Sequence, residues 1–266
     1  MIENIKIVVP TLNSYLILPR LINSLKRQTW SNWNLLFVDG YSNKKHIEWL
    51  RNSCEHDSRL KIIKQASNSK GIYGAMNQGF RTIKNNELIL FWGSDDWAIS
   101  DKVLENIIFK VNSYSDEFDL AVCKGRYINN KSKKLSRLSH FINNKFSKVL
   151  DRSSFRRKLF LGMTPPHQTT LFTKKAFEKL SYFSEDFFLA SDLDYFLKFS
   201  KINNINILII NNELVNMSTN GISSQKNILR LKEVLFSYKK SFGLFFPIPF
   251  IFRYIRKLSL KIFRIL

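Results

Sequence analysis

Residues 87–97 read E-L-I-L-F-W-G-S-D-D-W. A continuous apolar run of strand length, closed by Gly93 and followed by two adjacent carboxylates, reads as a buried strand that delivers acids to one edge of a sheet. Two neighbouring anions repel unless a cation or a hydrogen-bonded ligand compensates them. Carboxylate oxygens are hard ligands that suit Mg²⁺ or Mn²⁺, ions that commonly keep a substrate's phosphate oxygens in their shell. Asp95 and Asp96 are therefore candidate metal and phosphate residues. The alternative reading of the pair is a solvated turn ahead of a helix.

Upstream, the chain alternates strand and helix signals. Residues 5–10 (I-K-I-V-V-P) form a β-branched run, and 16–28 carry helical spacing through Leu18, Leu21, Ile22 and Leu25. Residues 34–39 (N-L-L-F-V-D) repeat the buried-strand pattern, 60–65 form a third strand and 72–83 a helix. Strands alternating with helices predict a mostly parallel sheet with helices on both faces, an α/β fold. Ligands of such sheets bind beyond the carboxyl ends of the strands, here Thr11-Leu12-Asn13, Asp39-Gly40 and Ser94-Asp95-Asp96.

Downstream, a strand is expected at 119–123. A basic, Asn- and Ser-rich stretch at 124–150 is expected to be a mobile excursion. Order resumes at 164–168, with a strand at 169–173, helices at 174–180 and 191–200, and a strand at 206–210. The segment A-S-D-L-D-Y-F (190–196) puts Asp192 and Asp194 at a helix start, where they cap the helix or provide a general base. His167 follows Pro165-Pro166 and is either a hydrogen-bonded core histidine or a further site residue.

The chain has 266 residues and a formal net charge of +21. Residues 124–160 hold twelve Lys/Arg against Asp151, and 226–266 hold ten against Glu233, so the basic character sits in two segments on a nearly neutral body. Such segments suit an anionic partner: lipid headgroups, nucleic acid or a pyrophosphate. In the second segment Ile251, Ile255, Leu258, Ile262 and Ile265 form one helical stripe, with Arg253, Arg256, Lys257, Lys261 and Arg264 away from it. This pattern predicts an in-plane membrane helix or a helix docked on the protein's own core. The longest apolar run, 242–252, contains Pro247 and Pro249 and is too short to span a bilayer. No secretory signal is read at the start of the chain. Cys54 and Cys123 form no metal-binding spacing and suit a reducing cytosol.

G-x-G-x-x-G after the first strand, G-x-x-x-x-G-K-[ST] and G-x-S-x-G are all missing, which argues against dinucleotide-binding, P-loop and α/β-hydrolase chemistry. The blocks V-V-P-T-L-N, F-V-D-G, G-I-Y-G-A-M-N-Q-G, G-S-D-D-W, P-H-Q-T-T-L-F, A-S-D-L-D and N-G-I-S-S occur in order. Together they resemble the family 2 glycosyltransferases, especially the bacterial surface-polysaccharide (O-antigen, capsule, exopolysaccharide) type, over about residues 3–240. The resemblance implies a GT-A fold and a metal-dependent, inverting hexosyl- or N-acetylhexosaminyl-transferase. It also implies a nucleotide-sugar donor, a UDP-sugar first, and Mn²⁺ or Mg²⁺.

By the same resemblance, Pro10, Thr11 and Asn13 line the nucleotide pocket, Asp39 contacts the base, and Gly71 and Asn77 lie along the donor. Asp96 binds the metal, with Asp95 near ribose or metal and His167 near metal or diphosphate, and Asp192 is the catalytic base. The pattern loses acids at Lys44, Ser69, Gly74, Ser94 and Ser191. The implied acceptor is a saccharide on a polyprenyl diphosphate, which places the protein on the cytoplasmic face of the inner membrane, docked to an anionic surface. The expected organisation is a GT-A domain over 1–225, divided at 123 into donor and acceptor halves, followed by a helical membrane-associating segment, 226–266. Two rival readings are a sugar-1-phosphate nucleotidyltransferase, whose Gly-rich basic loop is not seen at P-T-L-N-S-Y, and a basic nucleic-acid-binding protein. No helix-turn-helix, zinc-finger or RNP1 pattern supports the latter, and no nucleic-acid partner is expected.

Overall fold

The computed structural model describes residues 1–129, 132, 134–142, 148–219 and 226–262, with the backbone alone for 259–262. Four parallel strands, β1 (Asn4–Thr11), β2 (Trp33–Asp39), β3 (Leu60–Lys64) and β4 (Glu87–Phe91), lie in the order β3-β2-β1-β4. They alternate with α1 (Leu18–Lys26), α2 (Lys44–Glu55) and α3 (Gly71–Phe80). The register Thr11↔Asp39 and Val8↔Phe91 brings the carboxyl ends of β1, β2 and β4 to one edge. The parallel first half is as the alternating pattern predicts.

The second half is mixed. A short β5 (Trp97–Ala98) and α4 (Val103–Asn112) precede β6 (Leu120–Ile128), β7 (Leu135–Leu138), β8 (Lys148–Asp151), α5 (Arg152–Phe160), β9 (Thr170–Phe172) and α6 (Lys174–Lys179). α7 (Ser191–Phe199) and β10 (Asn206–Ser218) follow. Strand β9 is antiparallel to both β4 and β6, and the sheet continues as β6-β10-β5. The stretch expected as an excursion is thus partly sheet: β6 runs on to Ile128, β7 pairs with β6, and β8 pairs with β10. Paired backbone, which a basic, polar sequence does not advertise, holds these strands in place.

Side chains of β1 alternate between two cores. Ile5, Ile7 and Val9 pack with Leu21, Leu25, Leu104 and Ile107 of α1 and α4. Val8 faces the other core with Met76 and Phe80 of α3 and Leu193 and Phe196 of α7. That second core is aromatic: Phe183 stacks on Tyr195 at 4.5 Å, and Phe80 meets Phe91 and Phe172 edge to face. Such pairs add about 0.5–1.5 kcal/mol each beyond the area they bury. They fix α3 and α7, both of which bear on the cleft.

The chain ends in α8 (Asn227–Phe242) and α9 (Pro247–Ile262). Val234 and Tyr238 of α8 are core residues, and Phe246, Phe250 and Tyr254 pack against the same core. Gly162 seats α9: at φ +73°, a Cβ on it would stand 2.5 Å from the backbone N and Cα of Arg253. The aliphatic stripe faces the other way, with Ile251 52%, Ile255 59% and Leu258 63% exposed. The helix does dock on the core, but through its aromatic face and not through the aliphatic stripe, which the docked reading had placed there and which stands outside. The side chains of Lys261 and Ile262, the residues Arg264 and Ile265, and the N-G-I-S-S block at 220–224 lie outside the described residues.

Candidate active site

A cleft of about 860 Å³ opens at the carboxyl edge of the parallel strands. Its lining includes Pro10 and Thr11 after β1, Gly71 at the start of α3, and Asp95 and Asp96 after β4. His167 from the turn before β9 and Asp192 from the first turn of α7 also line it. Seven of the ten residues singled out from sequence thus share one cavity, although they are up to 182 positions apart.

Asp96 is buried, and its Oδ2 accepts the Gly93 N–H at 2.7 Å. Burial, together with the neighbouring Asp95 charge, pushes its carboxyl well above the ordinary range, against the opposing pull of Arg20. Arg20 of α1 donates to the Asp95 carbonyl at 3.1 Å and stacks 3.5 Å over Trp97. Among the described residues no group of three or more His, Cys, Asp or Glu side chains gathers as a metal cage. Two adjacent carboxylates with an unfavourable buried charge still match the donor set of a hard cation that takes the rest of its shell from phosphate and water.

In the same cleft, Asp192 Oδ2 lies 3.4 Å from His167 Nδ1, and its Oδ1 accepts the Leu193 N–H at 2.8 Å. Burial alone would raise this carboxyl. The His167 contact, the Leu193 N–H and the Arg253 charge outweigh it and hold the group below its ordinary value. Asp192 is therefore an ionised carboxylate near neutral pH. His167 is thus the partner of Asp192 within the cleft that Asp95 and Asp96 also line. Asp194 is buried and pairs with Lys198 at 2.6 Å, within α7 itself.

Three sequence candidates stand apart from the cleft lining. Asn13, at φ +50°, accepts from the Asn43 N–H at 2.9 Å, and its own N–H donates to Ser42 Oγ at 2.9 Å, so it ties the β1 loop to the β2 loop. Asp39 lies in an adjoining cavity beside Tyr41, Ser42 and Arg51. Its Oδ2 accepts the Ser42 N–H at 3.0 Å, while its Oδ1 is buried with no hydrogen-bond partner among the described residues. Asn77 does not line the cleft. It exchanges two hydrogen bonds with the Phe183 backbone, at 2.8 and 2.7 Å, and so holds α3 to the segment before α7.

Several residues escaped the sequence reading. His46 of α2 is buried, 3.1 Å from Thr11 Oγ1 and 3.6 Å from Asp39 Oδ1, and burial lowers its pKa despite the Asp39 charge. Glu185 accepts the Lys70 N–H at 2.7 Å and an Asn77 amide hydrogen at 3.1 Å, beside Ser69 and Gly74. A Cβ at Gly74 would come within 3.0 Å of Glu185 Oε2, so a carboxylate from far along the chain stands where the acids at 69 and 74 are missing. Glu233 of α8 accepts three backbone N–H groups, from Phe188, Leu189 and Ala190, at 2.8–2.9 Å. Arg253 and Lys257 of α9 reach the cleft itself. His46, Glu185 and Glu233 had no sequence signal. Arg253 and Lys257 were read only as cations of the tail, and their place in the cleft depends on folding that brings α9 in from a distance.

A PGL/p-HBAD biosynthesis glycosyltransferase of Mycobacterium tuberculosis is 32% identical over 90 residues, 34% of this chain and 34% of that protein. The chain thus spans about a third of the relative's length. Staphylococcus aureus TarS 1-349 in complex with UDP-GlcNAc superposes at a TM-score of 0.68 with 17% identity, covering 90% of this chain and 67% of that one. The mannosyltransferase PcManGT of Pyrobaculum calidifontis in complex with GDP-Man and Mn²⁺ does so at 0.60 with 14% identity, covering 96% and 70%. These likenesses show the GT-A fold that the ordered blocks implied. The profile described as glycosyl transferase family 2 matches residues 6–181, from the first strand through β9 and α6, and the chain belongs to that family.

Proposed function

We propose that the protein transfers a sugar, with inversion, from a nucleotide-sugar donor, a UDP-sugar first, to a hydroxyl of a lipid-linked saccharide in surface-polysaccharide synthesis. The observation that carries this reading is one cleft lined both by an ionised carboxylate, Asp192, and by the Asp95–Asp96 pair, of which Asp96 is buried. The donor's diphosphate belongs at the Asp95–Asp96 end, with Pro10, Thr11 and Gly71 along the nucleotide and Asp39 toward the base. Asp95 and Asp96 would hold Mg²⁺ or Mn²⁺, which when bound neutralises charge on the departing diphosphate.

Asp192 takes the acceptor hydroxyl's proton as the new C1–O bond forms on the face opposite the leaving group. The bond from C1 to the diphosphate oxygen breaks with its electron pair, and the nucleoside diphosphate leaves. His167 orients Asp192 and, at 3.4 Å, restricts its rotation.

No helix of the described residues is long and apolar enough to cross a membrane. We place the protein on the cytoplasmic face of the inner membrane, held by the outward stripe of α9 and by the two basic segments. Residues from 226–266, the part set apart in sequence as membrane-associating, also pack on the core of 1–225 and reach its cleft. The direct test is a panel of nucleotide sugars with Mn²⁺ or Mg²⁺, read by release of nucleoside diphosphate. Metal-dependent release from one donor supports transfer. Release of pyrophosphate from a nucleoside triphosphate would instead assign a nucleotidyltransferase.

A further inference from the structure

Helix α9 carries a third face. Arg253 and Lys257, one turn apart, line the same cleft as Asp192, joined by Arg230 of α8 and Arg137 of β7. Arg253 Nη1 donates to Thr164 Oγ1 at 2.7 Å, and its Nε is buried with no hydrogen-bond partner among the described residues. Arg137 stacks 3.7 Å from the Tyr127 ring centroid, and Arg230 donates to Asn227 Oδ1 at 2.9 Å. Among the described residues none of these four cations forms an ion pair with a carboxylate. Partial burial and crowding by Arg253, Arg230 and Arg137 push Lys257 down to about 7, and Asp192 compensates only in part. A gathered positive field of this kind is relieved by an anion.

The position of the cluster says which anion. At the donor end, Arg20 is the cation that responds to Asp95 and Asp96. Arg253 and Lys257 respond instead to Asp192, the group assigned to the acceptor. The opposite face of the same helix exposes Ile251, Ile255 and Leu258. A helix lying in a bilayer on that face holds its cations at the depth of lipid phosphates. We propose that Arg253, Lys257, Arg230 and Arg137 form a binding site for the diphosphate of a lipid-linked acceptor, distinct from the donor's diphosphate site. This deepens the transferase reading and rests on it.

The test uses the full chain and farnesyl diphosphate as a short probe of an isoprenyl diphosphate. Farnesol, inorganic pyrophosphate, and UDP with Mn²⁺ serve as comparisons in calorimetric titrations. The wild type is expected to bind farnesyl diphosphate more tightly than farnesol or pyrophosphate. Lys257→Gln with Arg230→Gln, both on exposed or half-exposed helix surface, is expected to weaken that binding by roughly tenfold to a hundredfold, the scale of lost charge-assisted hydrogen bonds. UDP affinity should stay within about twofold of the wild type. Equal weakening of UDP and farnesyl diphosphate would overturn the proposal by giving the cluster to the donor. No preference of the wild type for farnesyl diphosphate would overturn it too. Nucleotide-sugar hydrolysis by the wild type keeps these failures separate from failure of the transferase reading, which predicts that hydrolysis whatever the acceptor site holds.

Discussion

Asp192 and Asp96 lie in one cleft, and their surroundings drive them in opposite directions. His167, the Leu193 N–H and Arg253 hold Asp192 in its charged form, whereas burial and Asp95 work against the charge of Asp96. A base must be ionised before it can take a proton, so transfer should stay level from neutral pH down to the ordinary carboxylate range, about pH 4, and fail below it. A pH–rate profile of kcat at saturating Mn²⁺ checks this, because a bound cation keeps Asp96 ionised against the burial that raises it. An acid limb near neutrality under that condition would contradict the depressed value. Asp192→Asn should lower kcat by about 10²–10⁴-fold with little change in donor KM. Asp194→Asn should instead act through stability, because its partner is Lys198 rather than anything in the cleft. Asp96→Asn removes one of the two adjacent carboxylates offered to a cation. It should abolish metal-stimulated release of nucleoside diphosphate while leaving the melting temperature level or higher, since a costly buried charge goes with it. Wild-type turnover by Asp96→Asn at limiting Mn²⁺ would remove the metal from this site.

Among the elements, α8 holds the segment that leads into Asp192, the proposed base, without touching Asp192 itself. The Glu233 carboxylate gathers the N–H groups of residues 188–190, the last residues before the helix that starts at Ser191 and carries Asp192. Glu233→Gln keeps the shape but turns a group that only accepts into one that also presents donors to three N–H groups. We expect kcat to fall by about tenfold, with donor KM unchanged and a loss of about 1–3 kcal/mol in stability. Rescue by Glu233→Asp, however partial, separates a missing charge from a missing volume. Periodicity made β1 to β4, α1 and α3 legible because each carries its own run or stripe of apolar side chains. Strand β4 pairs with β1 and β9, both distant in sequence, and was legible all the same. Helix α2 escaped because only His46 and Leu50 of it are buried, which leaves no stripe. The acids of the site were legible as adjacent pairs at strand and helix ends. Glu185, Glu233 and Arg253 were not, since what they do depends on backbone N–H groups and cavity walls that only folding brings near.

For the whole molecule the deciding feature is that α9 serves the cleft and the surface at once. Deleting 242–266 would therefore not remove a mere anchor: it would also strip Phe250 and Tyr254 from the core and Arg253 from the cleft. A cleaner change alters only the outward stripe. Ile251→Ser, Ile255→Ser and Leu258→Ser leave the inner aromatic face and the cations in place, and each side chain changed is more than half exposed. Burying such side chains in an interface contributes about 1.5–3 kcal/mol each, and each nearby Lys or Arg adds on the order of 1 kcal/mol at an anionic leaflet. The triple variant should consequently lose binding to phosphatidylglycerol vesicles by more than a hundredfold while its melting temperature in solution is unchanged or raised. Salt should weaken the wild type's binding, because headgroup attraction is screened beyond about 8–10 Å at physiological ionic strength. Nucleotide-sugar hydrolysis in solution should survive in the triple variant, whereas transfer to an acceptor embedded in vesicles should fall with the binding. Vesicle affinity equal to the wild type would move the contact to the basic stretch around β7 and β8. A large drop in melting temperature would mean that the stripe packs against protein rather than lipid.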